Sequence, residues 1–230
     1  MISKTIYPIF LLLSFTIYSQ KNEIGIFVGG SNYIGDIGST MYINPSSYAI
    51  GFMYRKNFNK RISARAKVNY VNIIGDDSKS SDNFRKEIQK KSFENTILDF
   101  GLGIDFNFLD FDLAESSFQM SPYFSTGISY ISFNNYDNGL PPTTTTTLPI
   151  KLDKNKSIAI PITLGYKIKP NNNLIFAIEV TANHSFTDNI DGSDDKSLST
   201  FGSSLSNDWY VYSGITITYI FGKKICCRNY

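Results

Sequence analysis

The chain is poor in the residues that build metal and redox sites. It has one histidine, His184, and two cysteines that are neighbours, Cys226 and Cys227. Zinc wants three or four nitrogen or sulfur ligands at set spacings, so neither a metal site nor a cofactor is expected. Adjacent cysteines bridge each other only with strain. Charge is scarce as well. Charged residues make up 18% of the chain, below the roughly 25% of an ordinary soluble domain. The 22 Lys and Arg nearly balance the 20 Asp and Glu, for a net charge of +2. That balance excludes a nucleic-acid binder working through bulk positive charge. Long apolar runs are also missing. No stretch beyond the first twenty residues is apolar for 18 residues, so no transmembrane helix is expected.

Aromatic residues are what the chain has in excess. Its 18 Phe, 15 Tyr and 1 Trp are 15% of 230 residues. With abundant Ile, Thr, Ser and Asn, the composition favours strands and turns over a helical bundle. The opening is a separate unit. Lys4 precedes the apolar run Ile9 to Phe15, which reads as a secretory signal peptide over 1–20 with cleavage near Ser19-Gln20.

Period-2 alternation, the signature of strands, then recurs eight times. It predicts strands over 23–32, 47–56, 61–74, 93–108, 120–133, 156–168, 174–186 and 208–221. In the clearest, Leu98, Phe100, Leu102, Ile104, Phe106 and Phe108 share one face, and Asp99, Gly101, Gly103, Asp105 and Asn107 share the other. The apolar face is long and bulky, whereas the polar face is small or charged. The predicted links 33–46, 75–92, 134–155 and 187–207 are long. Those at 57–60, 109–119 and 169–173 are shorter. Long and short links in turn are the pattern of an outer-membrane barrel. The expected fold is therefore all-β: an eight-stranded antiparallel transmembrane barrel over 21–222. Short turns would lie in the periplasm, long loops outside, and 223–230 would form a periplasmic tail. Pro161 falls inside a predicted strand, where it deletes a ladder bond, and a local bulge is expected there.

If the bulky face meets lipid, the inward set contains Glu23, Arg55, Arg65, Lys67, Asp99, Asp105, Lys167 and Glu179. Four bases face four acids. An eight-stranded barrel is just wide enough for side chains to fill, and buried charges must pair. The set reads as a structural, salt-bridged plug and not as a channel.

Motifs for catalysis are nearly absent. His184-Ser185 is the one pair of catalytic type, but adjacent strand residues point to opposite faces. Asp188, Asp191, Asp194 and Asp195 lack the regular calcium-loop spacing and its closing Glu. Thr143 to Thr147 form a low-complexity loop tip. Gly29-Gly30 lacks the context of a phosphate loop and should ease strand packing or a bend. In an oxidising periplasm Cys226 and Cys227 could form an intermolecular disulfide, a strained vicinal pair, or remain free thiols.

Several segments carry a family likeness. The opening strand and loop, from Glu23-Ile24-Gly25-Ile26-Phe27-Val28-Gly29-Gly30 through Ser31-Asn32-Tyr33-Ile34-Gly35-Asp36-Ile37-Gly38, resembles the PorG-like proteins of Bacteroidota. So do Tyr42-Ile43-Asn44-Pro45, Ile74-Gly75-Asp76-Asp77 and Phe106-Asn107-Phe108-Leu109-Asp110-Phe111. The resemblance covers about 23–221. It implies a non-enzymatic outer-membrane component of the type IX secretion system, which serves protein export and, in some bacteria, gliding motility. It also implies, as partners besides outer-membrane lipid, a periplasmic ring of a PorK-like lipoprotein and a PorN-like protein, with the lipoprotein the partner for any intermolecular disulfide. A free-standing OmpX-like barrel acting in adhesion or envelope integrity is the alternative, and a lipid-modifying barrel enzyme the third reading.

Overall fold

The computed structural model describes residues 22–34, 41, 43–76, 92–136, 151–187, 189–190 and 207–222. The proposed signal peptide, the Thr143 to Thr147 tip, the four loop aspartates and the tail with Cys226 and Cys227 lie outside the described residues.

Eight strands follow one another: β1 (Asn22–Ile34), β2 (Ser47–Asn57), β3 (Ile62–Asp76), β4 (Ser92–Asn107), β5 (Gln119–Tyr136), β6 (Lys151–Lys169), β7 (Leu174–Ser185) and β8 (Trp209–Phe221). Each pairs antiparallel with the next, and β1 pairs with β8 from Asn22↔Phe221 to Ile34↔Trp209, which closes the barrel. Closure pairs the first strand with the last and so removes the two free edges of an open sheet, as strands in lipid require. The short links 58–61, 108–118 and 170–173 share one end with Asn22 and Phe221. That turn end opposes a loop end, where the longer links emerge.

The alternation read from the sequence places the side chains as expected. Leu102, Phe52, Ile128 and Ile178 point outward and are 71%, 64%, 63% and 62% exposed. Around them run Ile24, Ile26, Ile50, Phe100, Ile104, Ile158, Leu164, Ile215 and Ile217, all exposed. A continuous apolar belt of this kind is far larger than the isolated patches a water-soluble surface carries, and lipid satisfies it. Aromatic rings border it, with Tyr48 stacked on Tyr70 toward the loop end and Tyr54 beside Phe221 at the turn end.

Pro161 does not produce the expected bulge. The β5–β6 ladder lapses opposite Ile160-Pro161 and resumes in the same register, with Thr126↔Ile162 on one side and Ser129↔Ala159 on the other. The register shift in this pair lies instead between Asn134 and Tyr136. The reason is local. Pro161 faces Gly127, which has no side chain to displace, so the lost bond needs no extra residue. Gly127 is also pressed against β4: a Cβ there would lie 2.0 Å from the Leu102 carbonyl oxygen and 2.5 Å from Gly103 Cα. The obstacle is backbone and cannot swing away. Gly127→Ala is expected to cost about 1–3 kcal/mol, the range of overpacking, and to reduce the fraction that runs as a folded, heat-modifiable band on gels. An unchanged band would mean that β4 and β5 lie further apart. Gly29 serves packing in the same way, since its Cβ would lie 2.1 Å from the Ser213 carbonyl oxygen.

Candidate functional site

The barrel interior is the site that the fold builds, and it is filled in three layers. The middle layer holds the charges. Glu23 on β1 stands directly across from Arg55 on β2, and Arg55 directly across from Arg65 on β3. Two guanidiniums facing each other would repel. Asp105 on β4 answers both: Arg55 Nε donates to it at 2.6 Å, and Arg65 Nε and Nη2 at 2.9 and 3.0 Å. The outer ends of the two arginines are also held. Arg55 Nη1 donates to Glu23 at 2.5 Å and Arg65 Nη1 to Glu179 at 3.0 Å. Asn57 donates to the second Glu23 oxygen at 2.9 Å, and the Tyr123 hydroxyl donates to Glu179. The result is one chain, Glu23–Arg55–Asp105–Arg65–Glu179, all of it buried.

Tyr123 organises this layer. Its ring lies 5.7 Å from the Arg55 guanidinium and 5.3 Å from that of Arg65, within cation–π reach. It has room because β6 offers Gly165 directly opposite, where a Cβ would lie 2.5 Å from the Tyr123 ring. Lys67 and Asp99 form a separate, looser pair at 3.7 Å. Lys67 Nζ donates to the Tyr212 hydroxyl at 2.6 Å, which Asn69 also approaches at 2.9 Å. The Asp99 carboxylate accepts no hydrogen bond among the described residues.

Seven of the eight residues expected in the lumen thus join ion pairs, and Lys167 departs from the expected pairing. Its buried ammonium has no hydrogen-bond partner among the described residues. It lies 4.3 Å above the Phe111 ring and 5.6 Å from that of Tyr123. The pairing expectation overlooked the β4–β5 turn, which folds under the barrel and brings Phe111 to the cation.

That turn makes the second layer, a cap at the turn end. Phe111 and Leu113 pack with Ile175 and Ile220, and Lys169 donates to the carbonyls of Asp112, at 2.7 Å, and of Glu115. Outside the cap, ion pairs Lys60–Asp112 at 3.2 Å and Arg61–Asp110 at 2.6 Å tie it to the β2–β3 turn. Partial burial would raise the Asp112 carboxyl, but the Ala114 N–H and the Lys60 ammonium outweigh it and hold the group below its usual 3.8. The stabilisation from this carboxylate is therefore present above about pH 4 and is lost as the pH falls through the lowered value.

The third layer is apolar and was not foreseen. Toward the loop end Phe27, Val71, Ile73, Ile97, Ile131, Phe133, Tyr210 and Tyr212 fill the lumen as a buried cluster. Ile190, from the link between β7 and β8, is fully buried among them. Its N–H donates to the Asp208 carboxylate at 3.0 Å, and its carbonyl accepts from Asn95 at 2.7 Å. Tyr33 donates to the other Asp208 oxygen. A void of about 10 Å³ lies between Arg65, Lys67, Ser125 and Thr163 at the charged level, room for about one water.

His184 and Ser185, the adjacent pair of catalytic type, point to opposite faces of the wall. Ser185 is buried inside and donates to the carbonyls of Thr187 and Asp208, at 2.9 and 2.8 Å. His184 points to the other face, against Trp209 and Phe186. Among the described residues no group of three or more His, Cys, Asp or Glu side chains could hold a metal ion.

A closed antiparallel barrel of eight strands, belted by apolar side chains and packed within, is the architecture of the small outer-membrane barrels. Among solved structures the chain is similar to neisserial surface protein A (TM-score 0.50, 8% identity, covering 87% of this chain and 97% of that one). It is also similar to the N-terminal β-barrel domain of Pseudomonas aeruginosa OprF (0.48, 11%, 88% and 98%) and to outer membrane protein OprG of the same species (0.47, 12%, 89% and 98%). At such identities the likeness concerns the fold alone. No curated protein sequence matches the chain. The chain belongs to the DUF6089 family, a domain of unknown function whose model matches residues 3–229.

Proposed function

We propose that the protein is a non-enzymatic outer-membrane barrel subunit of the type IX protein secretion machinery, holding or contacting a periplasmic ring. The observation that supports this reading best is the filled lumen. An outer surface suited to lipid surrounds an interior that, among the described residues, is packed with charged and apolar side chains, which fits a fixed anchor better than a conduit. The machine itself is suggested by the PorG-like segments over Glu23 to Gly38 and Phe106 to Phe111.

In this reading the turn end and both termini face the periplasm. The ion-paired turns at Lys60–Asp112 and Arg61–Asp110, and the tail over 223–230, then face a ring of a PorK-like lipoprotein and a PorN-like protein. Cys226 and Cys227 are the residues we assign to an intermolecular disulfide with that lipoprotein. The test is a pull-down from membranes solubilised in mild detergent, with mass spectrometry and a non-reducing gel. The expected result is recovery of both ring proteins with the barrel. Recovery of the barrel alone would favour a free-standing barrel in adhesion or envelope integrity.

A further inference from the structure

The outer wall opens near the loop end. The β4–β5 ladder ends at Ile97↔Phe133. Beyond that pair Asn95 bridges the two strands with its side chain: Asn134 N–H donates to Asn95 Oδ1 at 3.1 Å, and Asn95 Nδ2 donates to the Asn134 carbonyl at 3.0 Å. On the next boundary β5 slips against β6 between Asn134 and Tyr136. The divergence leaves a groove of about 270 Å³ on the lipid-facing side, lined by Tyr70, Thr96, Leu98, Ser132, Asn134 and Lys154.

The groove is graded in polarity along the barrel axis. Leu98 and Tyr70 border its lower edge, above the exposed Phe100, Ile128, Tyr130 and Ile158 of the apolar belt. Above them the small polar residues Thr96, Ser132 and Asn134 line the groove together with Phe133. Two lysines stand on its β6 side: Lys154 pairs in register with Asn134, and Lys156 with Ser132. Both are exposed and point outward, like Ile158 and Ile160 beyond them. Among the described residues, Glu94 is an acid on this face, and it accepts a hydrogen bond from Asn72 at 2.8 Å. Apolar below, polar above and cationic at the side is the order of groups along a lipid, from acyl chain to anionic headgroup.

We propose that this seam is a binding groove for the phosphorylated headgroup of a membrane lipid, with Lys154 and Lys156 facing the phosphate and Leu98 and Tyr70 the first methylenes of the chains. Placing that lipid in the outer leaflet rests on the orientation proposed above; the groove itself does not depend on the secretion role. The amphipathic grading commits the site to a lipid over a soluble anion, because a free phosphate would gain nothing from Leu98.

The test uses the full-length protein in nanodiscs of phosphatidylcholine mixed with phosphatidylglycerol, with native mass spectrometry reading which lipid stays bound. Wild type should retain phosphatidylglycerol preferentially. A Lys154→Gln, Lys156→Gln double variant should lose that preference by roughly fivefold per lysine, the scale for a cation at an anionic membrane surface. The Lys154→Arg, Lys156→Arg variant should keep it, and Lys56→Gln, on an exposed lysine at the turn end, should leave it unchanged. All variants are first checked for the folded gel band. Retention by the double Gln variant equal to wild type would overturn the proposal. So would an equal loss in Lys56→Gln, which would indicate unspecific attraction, or displacement of the lipid by excess inorganic phosphate, which would assign the site to a soluble anion. Each of these results is independent of whether the ring proteins co-purify.

Discussion

Replacing Asp105 by Asn is expected to destabilise the folded barrel by about 3–5 kcal/mol, the range for breaking a buried ion pair. Asp105 is fully buried and, among the described residues, is the one carboxylate that pairs with both Arg55 and Arg65. Without its charge the two guanidiniums, adjacent across the β2–β3 ladder, keep only Glu23 and Glu179 at their far ends. The cost comes from leaving charge uncompensated where water cannot reach it, more than from the bonds themselves. Urea unfolding in lipid vesicles reads the effect. Asp110→Asn is the internal control. Its partner Arg61 is 52% exposed and Asp110 is 61% exposed, and surface pairs contribute only about 0–1 kcal/mol. Equal effects at the two positions would mean that the lumen is wet.

The second large effect is expected at Asp99. Asp99→Lys would set two ammonium groups side by side inside the barrel, because Lys67 already lies 3.7 Å from the carboxylate. A loss of about 3–5 kcal/mol is again the scale. Asp99→Asn should be far milder. It adds no second cation, and Lys67 keeps its hydrogen bond to the Tyr212 hydroxyl at 2.6 Å, so the loss is limited to the long pair at 3.7 Å. The double reversal Asp99→Lys, Lys67→Asp restores one charge of each sign, and part of the stability should return. Thermal melting in detergent distinguishes these outcomes. Full stability of Asp99→Lys alone would place residue 99 in contact with water.

These two aspartates show how much of the interior could be read in advance. The strands and the face each residue takes follow from period-2 alternation, a local property, so the eight lumen charges could be named from the sequence. Their partners could not. Arg55 meets Arg65 because of the β2–β3 register, and Asp105 reaches both because β4 lies where it does; register is set by the closed barrel and by turn geometry. Lys167 is buried inside as its face implies, but its neighbour Phe111 belongs to a turn that alternation does not describe. The apolar layer at the loop end was hidden in segments such as Val71-Asn72-Ile73-Ile74, where apolar residues fall on both faces and the alternation blurs. Ile190 and Asp208, which seal that layer, lie in or beside the long predicted link 187–207, to which alternation assigns no face. Tyr123 left one usable signal: a large inward residue needs a gap across the lumen wall, and Gly165 supplies it.

Single-channel recording in a planar lipid bilayer tests most directly whether this barrel is a filled scaffold. The charged layer, the Phe111 cap and the Ile190 seal should leave no stepwise conductance in the purified wild-type protein across the physiological voltage range. Stable, reproducible open steps from properly folded protein would contradict the account, because they would require a continuous water path through side chains that the structure packs together.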